Sequence, residues 1–426
     1  MHDRRGDDGP DGRGCVRRRH VIYVAGYDPR GAEGYFELFA RACDRFERSW
    51  PSALTVQPLE IDSSDFAHWL VELRGPYWRT ATRYEFLRLE RFIRADMTQP
   101  AVGHLFRGLG WSAADAASGV QLRIFRASWR FGLHLLYFQL LLIAWLALPL
   151  GTGLVLGALA ETFGWSAPAA AGIALLAAFA AAAALSPVAR KRGIVQIVCC
   201  WTLMRKFGRS RPTWLDHAID VGARRVIEAA ESNAADELVI VGHSTGGMIS
   251  SAIVARALEI APDLGRKGPR LVLLTLGSVM PAVALHPAAQ RIRTIIGRLA
   301  SASNLAWIDC QSRKDVMCFS NFDPVTGTGV EVGSSRCNPR VWPIRFKDMM
   351  SPEAYTSFRR NFFRVHYQYI MAGNRPAPYD YICLVASPMA VAEWPARHRE
   401  YMAALLRDER PVRADGTCDS IVSVSP

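Results

Sequence analysis

Two long uncharged segments in the first half of the chain limit its possible folds more than any other feature. Residues 131–160 contain no charged side chain, and residues 168–189 form a second uncharged run rich in Ala and Leu. A helix of about 20 apolar residues crosses a hydrocarbon core about 30 Å thick, so each run is long enough to span a bilayer. The sequence therefore predicts a two-helix transmembrane hairpin over residues 131–189.

The residues around the two runs predict how this hairpin is oriented. The link between the runs, residues 161–167, carries one acidic residue and one Trp. The outer flanks are basic, with Arg123, Arg126 and Arg130 before the first run and Arg190, Lys191 and Arg192 after the second. Basic flanks mark the cytoplasmic side, so we expect two spans with the globular part and both termini in the cytoplasm. The alternative is an apolar lid on a soluble protein, which would expose more apolar surface than soluble monomers do.

Composition narrows the class of protein. The chain has 426 residues, a formal net charge of +12 and 50% hydrophobic residues, which excludes a wholly disordered protein. The net charge is weak support for nucleic-acid binding, because the basic clusters flank apolar spans where membrane topology explains them. We therefore expect no nucleic-acid partner. Nine cysteines with no C-x-x-C pair favour reduced thiols over a zinc site or a disulfide framework.

Strand and helix patterns alternate on both sides of the hairpin. Strands are predicted at residues 20–25, 54–61, 237–241, 270–276 and 305–308, and helices at residues 32–50, 212–230, 248–260 and 287–299. This alternation predicts an α/β fold, with a mostly parallel sheet and helices on both faces. The expected divisions are a disordered tail at 1–19, a first part of the globular domain with juxtamembrane helices at 20–130, the hairpin at 131–189, a second part at 190–406 and a flexible tail at 407–426. The N-terminal tail lacks the apolar core of a secretory signal.

A G-x-S-x-G motif follows the strand predicted at residues 237–241 and precedes a predicted helix. It places Ser244 between Gly242 and Gly246. A strand-to-helix turn of this kind holds Ser in a strained conformation, and side chains at the two glycines would clash with the neighbouring strand and helix. The helix N-terminus behind Ser244 favours negative charge developing there. We therefore predict Ser244 as a nucleophile; the alternative is a Gly-rich turn without chemistry.

A serine nucleophile needs a base, usually His, that a carboxylate orients. After such a turn the acid comes first along the chain and the His second. Three histidines follow Ser244, namely His286, His366 and His398. We predict His366, because it lies in a mostly apolar segment, whereas His286 precedes any credible acid and His398 lies in a charged stretch. A core histidine bonded to the backbone is the alternative reading of His366.

The acid is expected in the loop beyond the strand at residues 305–308. Asp315 fits best because the apolar residues Val316 and Met317 follow it, with Asp309 second and Asp323 third. Two backbone N–H groups are expected to hold an oxyanion. Thr245, directly after the nucleophile, would supply one, and Tyr27, in the loop after the first strand, would supply the other.

Together these features resemble the α/β-hydrolase superfamily. The resemblance rests on the strand, loop and helix that begin at Val21, the turn at residues 242–246, the Asp315 loop and His366. It covers roughly residues 19–62 and 212–373, and the Gly-His-Ser-Thr-Gly turn is similar to that of lipases and esterases. The resemblance implies a serine hydrolase that cleaves an acyl ester through a Ser-His-Asp triad and an acyl-enzyme, without a metal or an organic cofactor.

The resemblance also carries three further expectations. The family usually has two more strands before the first strand seen here, so the sheet is expected to be truncated at that edge. The hairpin does not occupy the family's usual cap position, and it would instead hold the site near a bilayer, with a lipid or other acyl ester as substrate. Two alternative functions stay open: an acyltransferase with the same triad, and a catalytically silent membrane adaptor.

Overall fold

A nine-stranded sheet organises the chain, and the computed structural model describes residues 15–75, 78–191 and 193–407. The strand order is β2-β4-β5-β1-β6-β7-β8-β9, with β3 also paired to β4. The strands are β1 (Arg18–Val24), β2 (Ala53–Val56), β3 (Glu60–Ile61), β4 (Phe66–Arg74), β5 (Arg79–Leu87), β6 (Glu237–His243), β7 (Arg270–Leu276), β8 (Ala306–Gln311) and β9 (Arg340–Pro343).

Helices connect most of these strands. Those before β6 are α1 (Ala32–Glu47), α2 (Glu90–Met97), α3 (Ala101–Ala117), α4 (Val120–Ala127), α5 (Trp129–Thr162), α6 (Ala167–Lys191), α7 (Ile194–Gly208) and α8 (Trp214–Glu231). Those after it are α9 (Thr245–Ile260), α10 (Met280–Ala284), α11 (Gln290–Ser301), α12 (Pro352–Phe358), α13 (Phe362–Tyr367), α14 (Tyr381–Ala386) and α15 (Trp394–Arg407). Short 3-10 turns lie at Thr326–Thr328, Gly333–Ser335, Phe346–Met349, Gln368–Ile370 and Val391–Glu393.

The central strands are buried on both faces, as the apolar character of β1, β6 and β7 requires. Successive side chains of a strand point to opposite faces of the sheet. Ile22 and Ile240 accordingly pack in the core that also holds α8, α9 and α11. Val21 and Val239 pack in the opposite core, with α1, α14 and α15. The predicted α/β class, with a mostly parallel sheet between two helical layers, is confirmed.

Several predicted boundaries need correction. The first strand begins at Arg18, so the predicted tail at 1–19 overlaps the sheet, and residues 1–14 lie outside the described residues. The predicted strand at 54–61 divides into β2 and β3, because only residues 53–56 and 60–61 pair with β4. The tail predicted from residue 407 lies, apart from Arg407 itself, outside the described residues.

The edge of the sheet beside β5 also differs from expectation. A truncated sheet is expected there, but β4 pairs antiparallel with β5, and β2 and β3 pair antiparallel with β4. The strands at this edge, β2, β3 and β4, follow β1 along the chain instead of preceding it. The alternation of aromatic and β-branched residues in β4 and β5 is the pattern that indicates these strands.

The two apolar runs form a pair of long antiparallel helices. Helix α5 has 34 residues and α6 has 25, and both are long and apolar enough to cross a membrane, with mean hydropathy 2.1 in their most apolar stretches. Close packing between them depends on glycines of α5. A Cβ at Gly153 would lie 2.5 Å from the Ala174 carbonyl oxygen, and one at Gly157 would lie 2.9 Å from the Ala174 methyl. Small residues at this spacing are typical of helix pairs in membranes.

Helices α3 and α7 hold the base of the hairpin. Leu142 and Trp145 of α5 pack with Ala189 of α6 and with Leu105 and Val198 of α3 and α7. Polar contacts buried behind this cluster join α3 to α7, namely the Arg205–Asp115 ion pair, the Trp201 Nε1 to Asp115 Oδ2 bond at 2.9 Å and the Trp111 Nε1 to Thr202 Oγ1 bond at 2.8 Å. The hairpin is therefore fixed to the globular part along several turns of helix.

Candidate active site

Ser244 occupies a strained turn between β6 and α9. Its φ is 58° and its ψ is −122°, a conformation that costs a residue other than Gly on the order of 1–3 kcal/mol. Neighbouring backbone holds it there, since the Ser244 N–H donates to the Leu276 oxygen at 2.9 Å and the Gly247 N–H donates to the Ser244 oxygen at 3.0 Å. Between Glu237 and Ala255 every residue is buried except Ser244, which is partly exposed. The turn thus presents one hydroxyl at the end of a buried strand.

Both glycines of the motif lie where no side chain fits. A Cβ at Gly242 would lie 2.1 Å from Ser250 Oγ and 2.4 Å from the Gly246 oxygen. A Cβ at Gly246 would lie 2.1 Å from the Val24 oxygen of β1. The sequence-based reason for the glycines, crowding by the adjacent strand and helix, agrees with these distances.

His366 and Asp315 are brought together although 51 residues separate them. His366 Nδ1 lies 2.8 Å from Asp315 Oδ2, and both side chains are buried. The other carboxylate oxygen, Asp315 Oδ1, accepts the Met317 N–H at 2.9 Å, which fixes the carboxylate in its loop. The carboxylate therefore orients the imidazole, with Nδ1–H as donor and Nε2 left to accept a proton.

The alternative acids and histidines have other partners. Asp309 points into the sheet, where Thr275 Oγ1 and Gln311 Nε2 donate to it at 2.6 and 2.7 Å. Asp323 caps the turn at Val325 and pairs with Arg336. His286 lies 2.9 Å from an Arg209 nitrogen, and His398 Nδ1 lies 3.1 Å from the Pro395 oxygen. Among the predicted acids and histidines, the pair that meets is Asp315 and His366.

The first-strand loop lies against the turn that carries Ser244. A Cβ at Gly26 would lie 3.2 Å from Ser244 Cβ and 3.6 Å from Ser244 Oγ. Two neighbours hold Tyr27 of this loop: Gln196 Nε2 donates to its carbonyl oxygen at 2.7 Å, and its hydroxyl donates to Asp96 at 3.1 Å. Within the described chain, neither the Tyr27 N–H nor the Thr245 N–H donates a hydrogen bond. Both N–H groups therefore have no hydrogen-bond acceptor among the described residues.

His243 links the turn that carries Ser244 to His366. Its ring lies 4.7 Å, centroid to centroid, from the ring of His366, and its Nε2–H donates to the His366 carbonyl oxygen at 3.0 Å. Burial, and secondarily the neighbouring His366, lowers the pKa of His243 well below its usual value, so this imidazole stays neutral. His366 is therefore in contact with His243, the residue that directly precedes Ser244. Over the described residues Ser244 Oγ itself makes no hydrogen bond to His366, so the structure pairs Asp315 with His366 and leaves the Ser244 hydroxyl unpaired.

Sequence reasoning missed two groups of residues around this site. Asp28 accepts hydrogen bonds from Tyr35 and from Tyr367, and so connects the loop of Tyr27 to the neighbour of His366. The start of α5 contacts the Asp315 loop, where the rings of Phe131 and Phe319 lie 4.7 Å apart. No local pattern indicates these contacts, because each joins segments that are distant along the chain.

Within the described ranges, no group of three or more His, Cys, Asp or Glu side chains is placed to hold a metal ion. What the residues offer is a hydroxyl, an oriented imidazole and two backbone donors at the carboxyl ends of β1, β6 and β8. No protein-family model, curated protein or solved structure matches this chain.

Proposed function

We propose that this protein is a membrane-anchored serine hydrolase of the α/β-hydrolase superfamily that cleaves acyl esters. The observation that carries the proposal is the buried His366–Asp315 pair, which lies beside the strained turn of Ser244 at one edge of the sheet. A histidine that a buried carboxylate orients next to a strained, partly exposed serine is typical of nucleophilic catalysis. The sheet order supports the superfamily, since the parallel strands β5-β1-β6-β7-β8-β9 continue into an antiparallel edge.

In the proposed mechanism each group has a distinct role. His366 Nε2 takes the proton of Ser244 as Oγ attacks the acyl carbonyl, a step for which the side chains must close to hydrogen-bond distance. The N–H groups of Tyr27 and Thr245 stabilise the oxyanion, and the N-terminus of α9 adds to the favourable potential. Asp315 stabilises the charged imidazolium. His366 then protonates the departing alcohol, and water, activated by the same imidazole, hydrolyses the acyl-enzyme.

The membrane anchor in this proposal is the α5–α6 hairpin. Only 28% and 6% of the residues in the most apolar stretches of the two helices are buried by protein. Large apolar residues such as Leu154, Leu175 and Phe179 are more than 70% exposed. A bilayer would cover this surface, and the basic residues at the outer ends of the pair, among them Arg130, Arg190 and Lys191, favour a cytoplasmic active site.

A fluorophosphonate probe tests the catalytic part of the proposal. We expect the wild-type protein to be labelled at Ser244, because the hydroxyl oxygen bonds to phosphorus and displaces fluoride in a step that needs the base and the oxyanion donors. Ser244→Ala should abolish labelling, measured by gel fluorescence and peptide mass. The matched control is Ser251→Ala, which loses a buried hydrogen bond to Gly247 worth about 1 kcal/mol but keeps the nucleophile.

Folded wild-type protein that resists the probe would contradict catalysis and favour the silent membrane adaptor. For labelled protein, release of acid from an ester in water, with no alcohol acceptor present, then separates a hydrolase from an acyltransferase.

Removing the outer part of the hairpin tests the anchor. We expect a variant in which a four-residue Gly-Ser linker replaces residues 146–183 to leave the membrane pellet on an alkaline carbonate wash, while wild type stays. The design keeps Leu142, Trp145 and Ala189, which pack on the globular part, and the linker spans the 8–10 Å between packed helices. The control, Trp165→Ser in the loop, should remain in the pellet. Retention of the deletion variant after the wash would exclude the hairpin as the anchor.

A further inference from the structure

A basic and aromatic surface segment directly precedes His366. Residues 359–364 read Arg-Arg-Asn-Phe-Phe-Arg, and all six side chains are exposed. Phe362 and Phe363 are each 60% exposed, which is unusual for two adjacent large apolar residues. Phe358 and Val365 are buried in the core at the two ends of the segment, so they hold its backbone against the globular part. We call residues 359–364 the basic-aromatic segment.

The segment is continuous with the start of the first proposed span. Lys314, next to the acid, has its pKa lowered by burial and then by the nearby charges of Arg359 and Arg130. Arg359 comes from the basic-aromatic segment and Arg130 from the first turn of α5, so three cations from three elements lie close together. The Arg130 guanidinium also donates to the Arg313 carbonyl oxygen, which attaches the span to the Asp315 loop.

Within the described residues, these cations have no acidic partner in a salt bridge. In the part of the chain that the structure describes, no salt bridge involves Arg359, Arg360, Arg364 or Lys314. Like charges gathered without counter-charges repel one another, and an anionic partner would relieve that repulsion. Charge complementarity therefore points to an anionic surface as the occupant.

The beginning of the apolar surface on α5 shows where a bilayer would meet the protein. Trp129 is 60% exposed with the Arg130 guanidinium 5.3 Å from its ring, and Leu133, Leu136 and Leu140 are exposed beyond it. A Trp and an Arg that directly precede lipid-facing leucines are typical of the headgroup layer. Since Arg130 bonds to the Asp315 loop, that loop and the basic-aromatic segment lie at the depth of the headgroup layer.

We propose that the basic-aromatic segment binds the anionic phospholipid headgroups of the bilayer that the hairpin spans. Its arginines contact phosphate groups, and Phe362 and Phe363 insert among the upper acyl carbons. His366 lies three residues after Phe363, so this contact holds the active-site end of the sheet against the membrane and favours acyl chains that come from the bilayer. The inference rests on the proposed membrane anchor and deepens the proposed function by naming a lipid-borne substrate class.

Photocrosslinking tests the contact without relying on catalysis. The full chain, with p-benzoylphenylalanine in place of Phe363, is placed in nanodiscs that contain phosphatidylglycerol and is irradiated. We expect a phospholipid adduct on the peptide that contains residue 363. The matched control carries the same group in place of exposed Ile260, at the far end of α9 about 24 Å from Ser244, and should give no lipid adduct.

No lipid adduct at residue 363, or equal adducts at both positions, would overturn the proposal. Because no turnover is needed, this outcome is distinct from a failure of the proposed hydrolase activity, which the fluorophosphonate probe reports.

Charge reversal tests the functional consequence. We compare Arg359→Glu/Arg360→Glu/Arg364→Glu with a control that reverses three exposed arginines elsewhere, Arg224, Arg266 and Arg399. In nanodiscs with one third phosphatidylglycerol, the ratio of hydrolysis rates for a bilayer-dissolved long-chain ester and a water-soluble short-chain ester should fall at least fivefold in the first variant and stay unchanged in the control. An unchanged ratio in the first variant, or an equal fall in both, would refute a membrane-contact role.

Discussion

Replacing His366 with Ala is expected to lower the turnover of an acyl ester by a factor on the order of 10⁶, close to the loss from Ser244→Ala. Without the imidazole, the serine hydroxyl has no base to take its proton, and Asp315 loses its partner at 2.8 Å. The measurement is kcat on a chromogenic ester, with the protein in detergent micelles. KM should change little, because the imidazole does not hold the bulk of the substrate.

The other two histidines after Ser244 provide the controls for this loss. His286→Ala and His398→Ala remove imidazoles whose partners, Arg209 and the Pro395 carbonyl, belong to other parts of the structure. Each control should keep kcat within about threefold of wild type, the range of a minor structural change. The double variant Ser244→Ala/His366→Ala should be no slower than either single variant, since the two groups act as a unit. Turnover by His366→Ala above a tenth of wild type would place the base elsewhere.

The strained turn at Ser244 could be predicted because its sequence pattern is local. A buried strand, a Ser with flanking glycines and a following helix all lie within about 25 consecutive residues, and the φ of 58° at Ser244 is the conformation that such a turn requires. His366 and Asp315 were harder, since only chain order and the polarity of their neighbours favoured them over His286, His398, Asp309 and Asp323. The 2.8 Å contact between them depends on the sheet, which no single segment specifies.

What the sequence analysis missed depends on pairing between distant segments. The antiparallel edge formed by β2, β3 and β4 continues a parallel sheet, although these strands follow β1 along the chain. A local pattern can indicate such strands, but their place in the sheet is decided by which strand they meet. The contact between Phe131 and Phe319 is of the same kind, because the hairpin and the Asp315 loop are nearly 190 residues apart. Local patterns specify an element; its neighbours emerge only on folding.

Asp315→Asn is expected to lower kcat by about 10⁴-fold while leaving the fold intact. The Asn amide can donate to His366 Nδ1, which moves the ring hydrogen to Nε2. The imidazole then faces Ser244 with a donor where an acceptor is needed, so proton transfer fails although the geometry is kept. The measurement is kcat on the same ester, with circular dichroism and thermal unfolding to confirm a native structure.

The matched control is Asp309→Asn, which changes the second candidate for the carboxylate that orients His366. Burial raises the pKa of Asp309 to about 6, so in the folded protein this carboxyl binds its proton more tightly than in the unfolded chain. Because the folded state holds this proton more tightly, the free energy of unfolding falls as pH rises from about 4 to 6. An Asn at this position does not ionise, so the variant avoids this loss of stability. Asp309→Asn should therefore keep kcat within about threefold and be no less stable than wild type at pH 7.5. If Asp309→Asn loses activity and Asp315→Asn keeps it, the carboxylate that serves His366 has been misassigned, and the loop after β8 must rearrange before catalysis.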